Sequence, residues 1–456
     1  MSDSLFSEFE SVSAKQWKQK IQVDLKGEDY NEKLVWQSLE GVHVKPYYHK
    51  DDFPQGFQTI PGQPKEWSVV QHIFIDDEAI SNRLLLDAIN RGAEAVYLTT
   101  EKVFDIEKVF QNFGFQNTSI YFNIKFLEAS FLNKLIAFLQ KKNACVLYNI
   151  DLINHLCEDG NWFHSLENDR QILDEIVLKN PSEAILGVDT TMYQNAGANM
   201  VQQLAYALAH ANEYFNHYEA QKELQLCFKI AIGSNYFFEI AKVRALRLLY
   251  AALASEYNFK PHCHILATPS KRNKTLYDYN VNMLRTTTEA MSAILGGANA
   301  VCNLPYDALY HKSNEFGERI SRNQLLILKA ESYFDAVTNP TVGSYYIEKL
   351  TEELAEKELT VFKEIEKSGG FLKQLKEGII QKKIKESAQK EQSLFDSGTL
   401  VLVGTNKYQN KMDAMSEDLE LFPFVKTKAR KTIIEPIIEK RLSEKIEKER
   451  LENEKK

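Results

Sequence analysis

The chain has 456 residues, of which 44% are hydrophobic, and carries 55 Lys and Arg against 63 Asp and Glu. This length and composition can form one large domain plus a smaller one, or two domains of average size. The net charge of -8 excludes a dominant nucleic-acid-binding surface, which needs an excess of Lys and Arg. The amino-terminal stretch is too polar for a signal peptide, and no apolar run reaches membrane-spanning length. We therefore expect a cytoplasmic protein.

Residues 1–67 are polar, contain proline and show little periodicity, which predicts an arm that wraps the outside of the main domain. From residue 68 to residue 340, short β-rich apolar runs alternate with amphipathic helical segments. The runs are 68–75, 95–100, 119–124, 145–150, 184–190, 227–233, 262–268 and 300–304. Eight β-then-α units in a row predict an α/β fold of the (β/α)8 TIM-barrel type, with a doubly wound sheet as the alternative.

The sequence after Pro340 becomes helical and strongly charged, which predicts a helical extension over residues 341–410. Residues 411–456 form a charged tail. Its last 16 residues have few apolar side chains, so we expect a solvated or frayed helix there.

The cysteines and histidines do not predict a metal centre. The cysteines are widely spaced, lie mostly in apolar strand-like runs and form no C-x-x-C pair, so we interpret them as reduced, buried packing residues. They are Cys145, Cys157, Cys227, Cys263 and Cys302. His262 and His264 could share one face of a strand, but two ligands without a third do not make a metal site.

The stretch GVDTTMYQNAGANM, residues 187–200, leaves the fifth strand at a polar corner and then enters a helix. In a (β/α)8 barrel this corner lies on the face that carries active sites. Met192 stands at its tip, although methionine neither titrates nor donates a hydrogen bond. Asp189, at the end of the strand, is the best candidate there for a titrating group.

Several long stretches resemble the methylmalonyl-CoA mutase family, in family order from about residue 35 to residue 410. They are 40–53, 194–215, 228–250, 280–298, 339–357 and 403–410. The resemblance implies a (β/α)8 barrel whose substrate threads the barrel axis, followed by a separate cobalamin-binding domain.

The sequence departs from the family at the residues that carry the chemistry. The resemblance implies a Tyr-His pair in the corner, whose histidine donates a hydrogen bond to the thioester carbonyl, but the matching residues are Thr191 and Met192. Gln194 and the following Ala-Gly-Ala survive, whereas Asn195 replaces a glutamate. We therefore predict that Thr191, Met192 and Gln194 mark a degenerate catalytic site.

The resemblance also implies residues that bind the CoA ester, and several of these are replaced in this sequence. His264 stands where the family has an arginine, and most hydroxyls of the following stretch are gone, although Lys271 in this loop could contact the phosphates of CoA. On the fourth strand, Leu147 and Asn149 match the family's Thr and Gln, although Asp151 is kept. A Tyr-Pro-Thr-Met-Tyr stretch is missing between residues 64 and 67. The remnants that could still contact a ligand are Asn149, Asp189, Tyr193, His264 and Lys271.

No Asp-x-His-x-x-Gly motif for cobalamin occurs, and His311 is the last histidine. The resemblance thus implies a non-catalytic small subunit that pairs with a large catalytic chain, which binds the adenosylcobalamin. The complex would interconvert (R)-methylmalonyl-CoA and succinyl-CoA.

Bulky residues in the strands favour a filled barrel. The alternatives are a barrel enzyme or binding protein that acts on a CoA ester through a rebuilt site with Asp189, Tyr193 or Lys271, and a chaperone-like or regulatory partner of the mutase.

Overall fold

The computed structural model describes residues 8–219, 224–426 and 429–454. Eight parallel strands close into a barrel in chain order, because each pairs with the next and the eighth pairs with the first. They are β1 Ser68–Phe74, β2 Ala95–Thr100, β3 Ser119–Ile124, β4 Cys145–Ile150, β5 Ala184–Asp189, β6 Leu226–Ile232, β7 His264–Pro269 and β8 Ala300–Cys302. The predicted (β/α)8 barrel is confirmed, and each predicted strand lies within two residues of its observed bounds.

Helices precede, surround and follow the barrel. The arm contains α1 Ala14–Asp24, α2 Tyr30–Leu34 and a two-stranded ribbon of Trp36–Gln37 and His43–Val44. The barrel helices are α3 Glu78–Asn90, α4 Ile106–Val109, α5 Ala129–Lys141, α6 Leu152–Asp159, α7 Leu166–Lys179, α8 Thr191–Asn195, α9 Met200–His217, α10 Tyr236–Glu256, α11 Val281–Gly296 and α12 Glu315–Leu326. The extension contains α13 Tyr345–Lys367, α14 Phe371–Lys376 and α15 Ile379–Asp396, and the last helix is α16 Glu444–Glu454.

Two buried arginines of α10 hold the neighbouring helices, and one of them, Arg244, anchors the extension on the barrel. Arg244 donates a 2.7 Å hydrogen bond to Glu348 on α13, and Arg247 donates to the backbone oxygen of Gly297 at the end of α11. Because buried guanidinium groups need several acceptors, these bonds fix the positions of three helices relative to one another. The barrel and α13 therefore share one packed layer.

The carboxyl-terminal segment packs on the barrel, and the prediction of a solvated or frayed helix there is wrong. Backbone amides of Ile437, Lys440 and Leu442 donate hydrogen bonds of 2.8 to 3.0 Å to the backbone oxygens of Cys157 in α6, Asn195 in α8 and Arg272 in the loop after β7. Glu447 is buried, forms an ion pair with Arg441 at 2.6 Å and accepts a hydrogen bond from a barrel loop. Composition missed this packing because charged side chains can be buried when their partners are buried with them.

The cysteines are free, and all but Cys145 are buried, so the interpretation as buried packing residues is wrong for Cys145.

The arm covers part of the barrel's outer side, where Trp36 packs on Phe238 and Tyr48 stacks on Tyr346. Among the residues that the structure describes, no helix is long and apolar enough to cross a membrane.

Candidate functional site

The corner after β5 lies at the carboxyl end of the barrel, where (β/α)8 enzymes place their active sites. Asp189 ends β5, Thr190 is the N-cap of α8, and Gly197 follows α8 with a φ of 102°. A Cβ at Gly197 would lie 2.5 Å from the Cβ of Ala388 on α15, so glycine is required for both space and conformation. The corner is thus clamped between the barrel and the extension.

Asp189 is largely buried, and its carboxylate is fully engaged. One oxygen lies 2.9 Å from Nζ of Lys229 on β6, and the other accepts hydrogen bonds from the backbone N and Oγ1 of Thr191 at 2.9 and 2.6 Å. Burial raises the pKa of Asp189, but the Lys229 ammonium and the Thr191 hydrogen bonds outweigh it, so the net shift is downward. Asp189 is therefore an ionised structural group and a weak general base.

Asp151, the residue that follows β4, holds the corner in place through hydrogen bonds. Its carboxylate accepts hydrogen bonds from the backbone N of Asp189 at 2.9 Å and from the Tyr214 hydroxyl at 2.8 Å. It also lies 2.8 Å from Nε2 of His210, whose Nδ1 is 3.2 Å from the hydroxyl of Tyr193. Asp151 therefore positions the corner and does not present a free carboxylate.

Met192 and Tyr193 both point away from the barrel mouth. Met192 is 1% exposed and belongs to the main apolar cluster between the strands and the helices. Tyr193 is fully buried in the same cluster, with its ring packed edge-on against Phe371. Met192 is thus a packing residue, and Tyr193, which the sequence suggested as a ligand-binding remnant, lies in the helical layer.

Gln194 faces a buried lysine that sequence reasoning missed. Lys242 on α10 donates hydrogen bonds to Gln194 and Gln203 at 3.0 Å and forms a 2.6 Å ion pair with Glu239. Gln194 in turn donates to Glu239 at 3.2 Å. Burial lowers the pKa of Lys242, while its ion pair with Glu239 opposes the shift. The one sequence signal for this cluster was the i, i+3 spacing of Glu239 and Lys242 on a predicted helix.

Asn149 lies where β4 bulges. Its φ is 50°, the register between β4 and β5 shifts at this point, and a Cβ on Gly187 would lie 2.8 Å from the Asn149 Cα. The side-chain amide donates to the backbone oxygen of Phe122 at 3.2 Å, and Oδ1 is buried without a hydrogen-bond partner among the described residues. Asn149 and Asp189 line a cavity of about 30 Å³, which is large enough for about one water molecule.

His264 lies inside the barrel rather than at its mouth. It is the first residue of β7, and its Nε2 lies 2.8 Å from the hydroxyl of Tyr121 on β3. Three strands separate β3 from β7 in both directions around the barrel, so this hydrogen bond crosses the axis. Burial and the nearby Arg247 lower the pKa of His264 to about 4, so the imidazole is neutral at physiological pH.

A second contact crosses the axis between β2 and β6. The Lys229 ammonium lies 4.9 Å from the centre of the Tyr97 ring, on the opposite side of the barrel. Leu147 and Leu266 pack in the same apolar cluster as Tyr97 and Tyr121, inside the barrel. The expectation of a filled barrel is thus confirmed, although its filling includes charged and polar groups that sequence reasoning did not place inside, namely Tyr97, Tyr121 and Lys229.

Lys271 lies on the outer rim of the barrel mouth. Its side chain is 54% exposed, and its Nζ is 3.7 Å from a carboxylate oxygen of Glu439 in the carboxyl-terminal segment. Asn195 donates to the same carboxylate at 2.9 Å, and Arg272 donates to the backbone oxygen of Lys440 at 2.7 Å. This loop therefore holds the chain's own terminal segment.

A cleft of about 360 Å³ opens beside the mouth, away from the axis. The cluster of Gln194, Gln203 and Glu239 forms its floor, and Trp36 of the arm and Glu391 of α15 lie in its walls. This volume is within the range of small-molecule sites. The structure thus separates an open cleft from a closed barrel axis.

The described residues hold no group of three His, Cys, Asp or Glu side chains that could bind a metal ion. The sheets of the described residues are the barrel and the two-stranded ribbon of the arm. This part of the chain therefore contains no second α/β domain that could bind the corrin ring. His311 is engaged with Asp307, at 3.1 Å, on the loop after β8.

Fold and site together define a (β/α)8 barrel with an enzyme-like corner but a closed axis. The sequence profile of the family described as methylmalonyl-CoA mutase matches residues 91–453. The chain is 32% identical to the methylmalonyl-CoA mutase small subunit of Porphyromonas gingivalis, over 92% of this chain and 73% of that protein. The chain belongs to the methylmalonyl-CoA mutase family.

Two further relatives are longer. The chain is 28% identical to the methylmalonyl-CoA mutase of Cereibacter sphaeroides, over 89% of this chain and 65% of that protein. It is 29% identical to the mitochondrial methylmalonyl-CoA mutase of Homo sapiens, over 88% of this chain and 61% of that protein. The chain thus spans less than two thirds of these two relatives.

Proposed function

We propose that the chain is the small, non-catalytic subunit of a heterodimeric, adenosylcobalamin-dependent methylmalonyl-CoA mutase, which interconverts (R)-methylmalonyl-CoA and succinyl-CoA. The observation that carries this proposal is the hydrogen bond between Tyr121 and His264 across the barrel axis. It lies across the barrel axis, along which the family resemblance implies that the substrate of a catalytic chain threads. A CoA ester could not follow that path here without displacing both side chains.

The corner after β5 supports the same proposal. Met192 is buried and offers no hydrogen-bond donor, while Asp189 is held by Lys229 and Thr191. A group that stabilises a developing charge must point at the reacting atoms from a preorganised position. The side chains of Asp189, Thr191 and Lys229 are preorganised toward one another, and Met192 has no donor to offer to a substrate.

The cofactor and the chemistry then belong to the partner. In this proposal a large chain with its own cobalamin domain binds adenosylcobalamin, which supplies radical chemistry when bound, and the complex works in the cytoplasm. The similarity to a relative named as a small subunit supports an unequal pair of chains. The role of this chain is to bury an apolar face of the partner and so stabilise its barrel, as obligate interfaces do.

The test is size-exclusion chromatography with light scattering on the chain alone and mixed with the large mutase chain of the same cell. Mutase activity is measured on each peak. We expect a one-to-one complex with activity only in fractions that contain the large chain, and the same activity with the volume-conserving variant Met192→Leu in this chain. The absence of a complex under conditions where both chains are folded would contradict the proposal.

The cleft beside the mouth favours a second candidate, a barrel enzyme or binding protein that uses a CoA ester outside the axis. Its volume of about 360 Å³ and its polar floor could hold part of such a ligand. This candidate predicts turnover or tight binding of a CoA ester by the isolated chain, which the same fractions can test.

A further inference from the structure

A small polar cavity lies at the carboxyl end of the barrel. Residues from β3, β4, β5, β6 and α6 line it, and its volume is about 30 Å³. This is the space of about one water molecule. The charged side chains in its wall are two lysines and three carboxylates, which together carry a net charge of -1, namely Lys125, Lys229, Asp151, Glu158 and Asp189. The cavity therefore suits a neutral or singly positive molecule of the size of a solvent molecule.

Two amide oxygens of the residues in the cavity wall are buried without a hydrogen-bond donor among the described residues. They are Oδ1 of Asn149, at the bulge of β4, and Oδ1 of Asn154, in the first turn of α6. Asn154 is 6% exposed. A buried acceptor that has lost its water and gained no donor destabilises the folded chain, and native proteins leave few such atoms. The two oxygens therefore call for a bound donor.

The hydrogen bonds around the two asparagines hold both residues in place. Nδ2 of Asn149 donates to the backbone oxygen of Phe122 at 3.2 Å, and turning this amide over would bring two oxygens together. The backbone N of Asn154 donates to Asp151 at 2.9 Å, while its side-chain amide makes no hydrogen bond with the described residues. Both oxygens are thus unpartnered although their residues are fixed.

The two lysines of the cavity wall are already engaged with carboxylates. Nζ of Lys229 lies 2.9 Å from Asp189, and Nζ of Lys125 lies 2.7 Å from Glu158. Among the described residues, neither lysine donates to an asparagine oxygen. The donor that the two amides lack must therefore come from a bound molecule.

We propose that this cavity is a binding site for one small hydrogen-bond donor, a water molecule or an ammonium ion, which donates to Oδ1 of Asn149 and to Oδ1 of Asn154. Water and ammonium share the required chemistry, because each has one heavy atom and at least two hydrogens to donate. A thioester is far too large for the cavity. The bound donor joins the bulge of β4 to α6 at the barrel mouth, whether or not the chain pairs with a large subunit.

The first test is a high-resolution crystal structure of the full chain, from one crystal grown without ammonium salts and a second one soaked in ammonium chloride. We expect electron density for one molecule at hydrogen-bond distance, about 2.7 to 3.2 Å, from both amide oxygens. Absence of such density from both crystals would overturn the proposal.

Melting temperatures in ammonium, sodium and potassium chloride of equal ionic strength separate the two sources. A rise confined to ammonium identifies ammonium as the bound donor, because a ligand that binds only the folded chain stabilises it. Equal melting temperatures, together with the density, identify water. A rise confined to sodium or potassium would overturn the proposal, since a metal cation donates no hydrogen bond.

A variant shows whether the amide of Asn154 holds the molecule. Asn154→Leu keeps the branched shape of the side chain but removes its polar atoms, so the density and any response to ammonium should disappear. The control Tyr148→Phe removes another buried oxygen that has no hydrogen-bond partner among the described residues, but Tyr148 does not line the cavity, so the density should remain. Density that persists in Asn154→Leu would contradict the proposal. The wild-type crystals decide the question if the variant does not fold.

Discussion

Two carboxyl groups, Asp189 in the barrel and Glu318 in the helical shell, have pKa values that are shifted in opposite directions. Inside, Asp189 is held ionised because the Lys229 ammonium and two hydrogen bonds outweigh the effect of burial on its pKa. In the shell, burial raises the pKa of Glu318 on α12 to about 7, because its partners are the neutral Ser313 and Gln71 and a more distant Arg322. The partner decides whether a buried carboxyl stays charged, more than the depth of burial does.

Glu358 on α13 extends this comparison. It is fully buried, and neither carboxylate oxygen has a hydrogen-bond partner among the described residues. Burial alone raises its pKa well above the ordinary value. The shell thus holds acids with a raised pKa, Glu318 and Glu358, as well as paired carboxylates such as Glu348 beside Arg244, whereas Asp189 in the barrel is paired with Lys229.

The largest expected effect comes from Lys229→Met, which leaves Asp189 buried without its cation. Breaking a buried pair from one side costs about 3 to 5 kcal/mol of unfolding free energy. Urea denaturation should show this loss, and the double variant Lys229→Met/Asp189→Asn should regain most of it. Equal losses in the single and double variants would mean that Lys229 acts by packing and not as a counter-ion.

A smaller, pH-dependent effect is expected for Glu318→Gln. Folding raises the pKa of Glu318 from about 4.3 in the unfolded chain to about 7, so its contribution is full at low pH and is lost as the pH rises toward 7. The variant lacks this titration, so its stability relative to the wild type should increase by about 1 to 3 kcal/mol from pH 4 to pH 7.5. Urea unfolding at several pH values measures it. A constant difference across this range would contradict the assigned shift.

Tyr121→Phe removes the hydroxyl that bonds to His264 and should cost about 1 kcal/mol of unfolding free energy. Tyr148 provides the matched control, because it is equally buried but its hydroxyl has no hydrogen-bond partner among the described residues. Tyr148→Phe should therefore be neutral or slightly stabilising in the same urea titration. If the two variants behave alike, the hydrogen bond across the axis contributes nothing to closing the barrel.

The smallest effect is expected at the corner. Met192→His introduces the histidine that the family resemblance implies for this corner, but Met192 is buried in the main apolar cluster and the axis stays closed. The isolated variant should show no mutase activity above background. Activity gained by this single change would show that the barrel can still admit its substrate.

The fold could be predicted from the sequence almost in full, because eight apolar runs separated by helical periodicity leave few topologies. The side chains that fill the barrel interior could not be predicted in this way. Strands of a parallel barrel are buried on both faces, so alternation does not show whether Tyr97, Tyr121 or Lys229 points inward. His264 was assigned to a ligand site from its place in the sequence alone, and its partner Tyr121 lies 143 residues away.

The corner was predicted better than its surroundings. Local spacing placed Asp189 at the end of β5 and Thr191 and Met192 just beyond it. What local sequence did not contain was the bulge at Asn149, which depends on Gly187 of the next strand, and the buried cluster around Lys242. Both arise from contacts between elements that are far apart in the chain.

A non-catalytic role requires a closed barrel axis, and calorimetric titration of the isolated chain with succinyl-CoA tests this most directly. We predict no binding at millimolar ligand, for the wild type and for Asp189→Asn alike. Micromolar binding by the wild type that is lost in Asp189→Asn would show a working site at the barrel mouth and would contradict the non-catalytic role.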